Sequence, residues 1–176
     1  SEMCIRDRLD TLTADDAERY RKCVASLPER DKLCGFVSGR RELERWLPEE
    51  LFSFCLDTLP VYGSLDELAG RVGAQDVRRA AIGSVCGIYH ACVHNLIHAR
   101  SADALAELYK SAFFALRAIH CVETGKRLRT RAELLERRPE AERDLIESRP
   151  DGDFGSASAR LLAWASEQIT ALGGGA

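Results

Sequence analysis

The chain lacks any C-x-x-C pair, any excess of basic charge and any repeat or low-complexity tract. Its cysteines are scattered, which excludes the even, closely spaced framework of a small secreted disulfide protein. Reduced thiols packed as small hydrophobes are expected instead. No run of about eighteen apolar residues occurs, so no segment is expected to span a membrane. The net charge is −3, which argues against a generic nucleic-acid binder while leaving local basic patches open. What remains is an ordinary globular composition, 45% apolar and 30% charged, long enough to bury a real core.

The segment Met3-Cys-Ile-Arg-Asp-Arg8 matches what one reading frame of a transposon-derived sequencing adaptor encodes. Residues 1–8 are therefore set aside from the fold reasoning, as an expression scar would be. Leu9 to Ala176 is expected to be the C-terminal part of a longer protein. Cys4 leaves with the adaptor, and Cys23, Cys34, Cys55, Cys86, Cys92 and Cys121 stay.

Nearly every remaining segment reads as helix, and the expected class is all-α. Thr13-Ala-Asp-Asp16 caps a helix to about Leu27. Lys32 to Gly39 is equally consistent with a loop or with one strand of an upstream sheet. Short helices follow over 40–45 and from Pro48 to about Thr58. Ser64-Leu-Asp-Glu67 and Thr130-Arg-Ala-Glu133 are capping boxes. Gln75 to Ala99 and the stretch from Ser101 to Glu123 are long helices, expected to form an antiparallel hairpin at the centre of a bundle. Val77, Ala81, Val85, Ile88, Cys92 and Leu96 form the buried stripe of the first. Leu105, Leu108, Tyr109, Ala112, Phe113, Leu116, Ile119 and Val122 form that of the second. Pro139 restarts a helix to about Ser148, and a last one covers 156–172. The expected organisation is an N-terminal segment over 9–63, a bundle over 64–172 and a frayed tail over 173–176.

Cys86, His90, His94 and His98 recur at i, i+4 spacing. His90 and His94 lie one turn apart, so both imidazoles reach toward one metal ion if a third ligand such as His120 joins them. Each i+4 step also advances about 40° around the helix, so all four cannot converge. A polar seam, or bonds to neighbouring carbonyls, explains the row without a metal. The same face carries Ala80, Gly83, Gly87 and Ala91. Two interior helical glycines cost about 1 kcal/mol each relative to alanine, which points to close helix packing or a ligand groove.

Gly63-Ser64 follows an apolar pair, as in the active-site turn of nucleotidyltransferases, but the paired carboxylates that hold magnesium there are missing. Asp76 is followed by Val77-Arg78, and Asp151-Gly-Asp153 sits in a loop. The pair reads as a turn and helix cap, and no catalytic residue is assigned. Lys110, Phe114 and Arg117 are expected opposite the buried stripe. With Gly125-Lys-Arg-Leu-Arg-Thr-Arg131 they form a basic surface suited to phosphate or RNA, or simply a solvated face. Arg137-Arg138 and Glu140–Glu147 read as surface ion pairs. No arginine precedes a histidine at the R-x4–6-H spacing of helical ribonuclease domains.

Three stretches together resemble the C-terminal helical region of bacterial nucleotidyltransferase-domain proteins, of the minimal and aminoglycoside kind. They are Cys34-Gly-Phe-Val-Ser-Gly-Arg-Arg-Glu-Leu43, Ile88-Tyr-His-Ala-Cys-Val-His-Asn-Leu-Ile-His98, and Leu108-Tyr-Lys-Ser-Ala-Phe-Phe-Ala-Leu-Arg117 continuing to Gly125. The resemblance covers most of Lys32 to Leu145. It implies a helical domain beside an upstream α/β domain that holds magnesium and the NTP and transfers a nucleoside monophosphate. Here the helical domain would shape the acceptor site through His90, His94, Lys110 and Arg117, or make a subunit contact. The implied partners are that missing domain and a second copy of the chain, with no membrane and no nucleic acid, in the cytoplasm. The competing expectation is an autonomous helical module of the HEPN-like, toxin–antitoxin sort that binds or dimerises. A third is a small metal-dependent bundle enzyme using His90 and His94.

Overall fold

A computed structural model describes residues 3–174. The chain is mostly α-helical with one small sheet, so the expected all-α class holds only as "mainly α". Strands β1 (Met3–Leu9) and β2 (Leu33–Gly39) pair in parallel, in register from Met3 with Leu33 to Leu9 with Gly39. A parallel pair needs a crossover, supplied by helix α1 (Ala14–Ala25). Thr13 caps α1 by accepting the Asp16 N–H while Asp16 accepts the Thr13 N–H.

All of β1 but Leu9 lies in the segment set aside above, yet the Arg6 and Asp7 side chains are tied into the fold. Asp7 accepts the Tyr20 hydroxyl of α1 at 2.8 Å. The Tyr20 ring lies so close over Gly35 that a Cβ there would sit 3.3 Å from its oxygen. Arg6 donates to the Phe54 carbonyl at 2.9 Å and stacks over the Phe54 ring. Phe36, Trp46 and Phe54 meet edge to face, with centroids 5.6–6.0 Å apart, and so join β2 to the helices that follow.

Those helices are α2 (Arg40–Leu43), α3 (Pro48–Leu56) and α4 (Asp66–Ala69). Leu43, Leu51, Cys55 and Leu68 bury together as a satellite core. Pro48 opens α3, where its missing N–H costs nothing. Gly63 takes a positive φ of 75°, and Ser64 Oγ accepts the Asp66 N–H at 3.0 Å. Gly63-Ser64 is thus a turn, but the expected capping box at Ser64 does not form: α4 is a single turn whose N-cap is Leu65, with no side-chain cap.

The main core surrounds α5 (Ala74–His94) and α6 (Ala102–Thr124), with α7 (Arg131–Leu135), α8 (Arg143–Glu147) and α9 (Phe154–Gly173). α5 packs against α6 and α9, and α6 against α8. Asn95–Ala99 form a π turn after α5, and Arg100 has a φ of 46°. The buried Asn95 side chain closes the turn. Its Nδ2 donates to the Ser101 carbonyl and its Oδ1 accepts the Ser101 N–H, both at 2.9 Å. Ser101 then caps α6 through the Ala104 N–H.

Both expected stripes face the core, with Leu96, Leu108 and Val122 at its margin. Tyr109 is wholly buried and donates to the Ala157 carbonyl at 3.0 Å, which ties α6 to α9. Burial, and Asp144 beside it, push its hydroxyl pKa up to about 12. Cys55, Cys92 and Cys121 are buried thiols as expected, but Cys23 and Cys86 are exposed. The Cys34 side chain and the last two residues of the expected tail, 175–176, lie outside the described residues.

One helical stretch, residues 74–99, is long and apolar enough to cross a bilayer by length and composition alone. Only 28% of its most apolar window is buried, because α5 offers the core a single stripe and leaves a face of small residues outside.

Candidate functional site

The i, i+4 row lies on the outer face of α5 and the π turn, where Cys86, His90, His94 and His98 are all exposed. The rings of His94 and His98 approach to 4.9 Å between centroids, tilted by 50°. Among the described residues, no group of three or more His, Cys, Asp or Glu side chains is placed to hold a metal ion. His120, the expected third ligand, belongs to a different environment. It is buried on α6, and its Nε2 has no hydrogen-bond partner. Burial holds its pKa below the ordinary value, and the Arg138 charge lowers it further.

Gly83 and Gly87 share the exposed side of α5. A Cβ built at either position meets no atom within 4 Å, so nothing among the described residues uses the room they leave. Tyr89 and Ile97 add apolar surface on the same helix and turn. Close packing by a helix of this chain is therefore not what these glycines serve.

Lys110 is exposed and pairs with Glu107 at 2.5 Å, one turn back. Arg117 departs from its expected position. It is 3% exposed rather than opposite the buried stripe, because α6 is buried on all sides from Ala115 to Cys121. Its Nη1 donates to Asp57 at 2.5 Å and its Nε to the Leu128 carbonyl at 3.1 Å. Phe113 and Phe114 lie against the guanidinium, centroids 5.5 and 5.7 Å away. The groove beside this ion pair, about 210 Å³, is lined by Phe52, Asp57 and the half-exposed Phe114. Among the described residues, no hydrogen bond, ion pair or ring contact joins His90 or His94 to Lys110 or Arg117.

The basic loop after α6 is more structured than a solvated linker. Arg127 stacks over the Phe52 ring at 5.9 Å, and Arg131 over Phe113 at 4.2 Å. Arg129 reaches the Thr58 carbonyl, and Arg131 the Ile146 carbonyl. Glu133 completes the expected capping box at Thr130 and also accepts the Arg129 N–H.

A second cavity, about 400 Å³, opens on the other side of this loop, between the start of α5 and the end of α6. Arg78, Arg127 and Cys121 line it, with an apolar wall of Val72, Val77 and Val122. Sequence reasoning missed it, because residues about fifty positions apart build it and Arg78 carried no motif. Burial pushes the Cys121 thiol pKa up, and the Arg127 charge opposes that shift.

The expected surface pairing of Arg138 also needs correction. Its side chain is 7% exposed and forms a two-pronged bond to Glu142, at 2.6 and 2.9 Å. It pairs with Glu123 as well, and Glu142 accepts the Trp164 indole N–H at 3.2 Å. This network holds the segment before α8 against α6 and α9. It is a buried structural feature rather than a surface one.

No family model, no curated protein and no solved structure matches the chain.

Proposed function

We propose that the chain is the helical accessory part of a nucleotidyltransferase, inactive alone, in which α5 and α6 form the antiparallel hairpin of a bundle. The observation that supports this reading is β2 (Leu33–Gly39), whose one strand partner among the described residues, β1, lies almost wholly in the adaptor-like segment. Parallel strands belong to wider sheets covered by helices, and a pair by itself is marginal. Apart from the Leu33 N–H, which donates to the Arg30 carbonyl of the preceding turn, no backbone hydrogen bond links β1 or β2 to a more distant element among the described residues. Strand edges of this kind invite further strands, as the α/β domain implied by the resemblance would offer.

Among the described residues, the two acids nearest the expected motif are already engaged. Asp153 is committed to capping α9 through the Ser156 N–H, and Asp76 to capping α5 through the Gly73 N–H. Engaged in these caps, the two carboxylates do not fit a magnesium ion. The role left to this chain is to present an acceptor-binding or subunit-contact surface.

The test is the DNA upstream of Leu9 in an intact copy of the gene. A Gly-Ser turn followed by a strand with paired aspartates supports the reading. An intact gene with no such motif overturns it.

The vacant space at Gly83 and Gly87 favours a second reading, an autonomous helical module that dimerises through α5. Sedimentation of the purified chain separates the two. A dimer that Gly87→Leu converts to monomer supports the module, and a monomer at all concentrations removes it.

A further inference from the structure

The cavity at the start of α5 has a charge pattern that the proposed function does not use. Arg78 and Arg127 line it, and none of its lining residues is an acid. Neither guanidinium has a carboxylate partner among the described residues. Arg78 donates to the Leu172 carbonyl near the end of α9, and Arg127 rests on the Phe52 ring. Many other arginines of the chain do have such partners, including Arg21, Arg40, Arg79, Arg117, Arg138 and Arg143.

Two cations beside an apolar wall focus a positive potential into the cavity, and an anion entering it loses little to competing carboxylates. The planar guanidinium fork matches the oxygens of a phosphoryl group in pairs, and two forks balance a dianion. A volume of about 400 Å³ suits a small ligand. The first turn of α5 borders the cavity, but Asp76 already caps it and pairs with Arg79, so the helix end is not what attracts the anion. The net charge of −3 disfavours a nucleic-acid polymer as the occupant.

We infer that this cavity binds a phosphorylated small molecule, with Arg78 and Arg127 holding its phosphoryl oxygens and Val72, Val77 and Val122 contacting its apolar part. The inference stands on this chain alone and holds whether or not an upstream domain exists.

Titration calorimetry of the whole chain with tripolyphosphate at low salt tests it. One-to-one binding is expected, weakened roughly 10–100-fold in Arg127→Gln by loss of charged hydrogen bonds. Arg127→Lys keeps the charge but loses the fork and is expected to fall between the two. Arg127 lies on an exposed loop, so its variants should fold, which circular dichroism checks. Arg78→Gln should weaken binding similarly. Because Arg78 also holds the end of α9, the Arg127 variants decide the outcome if Arg78→Gln unfolds. Absence of binding at millimolar tripolyphosphate overturns the inference. So does an equal loss in Arg19→Gln on α1, which would mean nonspecific attraction. Displacement of tripolyphosphate by an RNA oligomer lacking terminal phosphates would also overturn it, in favour of a polymer site.

Discussion

Replacing Glu142 with leucine should be among the most damaging single substitutions in this protein. The change removes both prongs of the bond to Arg138 and leaves a guanidinium that is 7% exposed with Glu123 as its only acidic partner. It also strips the acceptor from the Trp164 N–H. Removing one member of a buried ion pair costs about 3–5 kcal/mol, and an orphaned N–H about 1–3 kcal/mol. The half-exposed Glu123 retains part of the attraction, so a net loss of about 3 kcal/mol is expected. With a urea m of about 2 kcal/mol/M, the midpoint should fall by about 1.5 M. Urea unfolding followed by circular dichroism gives the value. The discriminating arm is the double variant Arg138→Met with Glu142→Leu, which removes both charges together. Apolar replacement of a whole buried pair is often neutral, so the double should be more stable than Glu142→Leu alone. A single variant that loses under about 1 kcal/mol, or a double that simply adds the two losses, would refute the idea that uncompensated burial dominates here.

Asn95→Ala should cost about 1–3 kcal/mol, since the Ser101 N–H and carbonyl both lose their partner in a tight turn. Chemical denaturation and hydrogen exchange at residues 96–104 would register it, and unchanged protection there would contradict the role assigned to Asn95. His120 should make stability fall as pH drops. Its folded pKa lies below the ordinary 6.5, so from about pH 6.5 downward the unfolded chain binds the proton that the folded protein refuses. The loss grows until pH reaches the folded value, and His120→Leu should flatten the fall in stability that sets in below about pH 6.5. An unchanged slope in that variant would count against a neutral buried imidazole. Gly83→Ala and Gly87→Ala should each stabilise the isolated chain by about 0.5–1 kcal/mol, since a Cβ meets nothing at either site. Calorimetry should show a rise of about 2 °C for each, and a fall would mean that the glycines are covered in solution.

Much of the helical skeleton was legible because its signals are local. Thr13, Ser101 and Thr130 each cap the helix that their spacing announces, since a side chain two or three residues away from an unsatisfied N–H needs no tertiary help to find it. The apolar stripes of α5 and α6 follow from the helical period in the same way. The histidine row was legible as a row. That it remains on the surface without a third ligand depends on where the other helices pack, which the period does not encode.

Local pattern was therefore enough to say which segments are helical, where they cap and which side of each carries the apolar residues. What covers the other sides came from packing in three dimensions. Arg117 looked like a surface cation until Asp57 at the end of α3 and Leu128 in the loop after α6 closed over it. Arg138 became a buried charge because Glu123, Glu142 and Trp164 come from three separate places in the chain. Within Lys32 to Gly39, Leu33–Gly39 forms a strand only because a second strand lies alongside it. In each case the deciding partner is distant in sequence. Burial and pairing are properties of the space between elements, which no window along the chain contains.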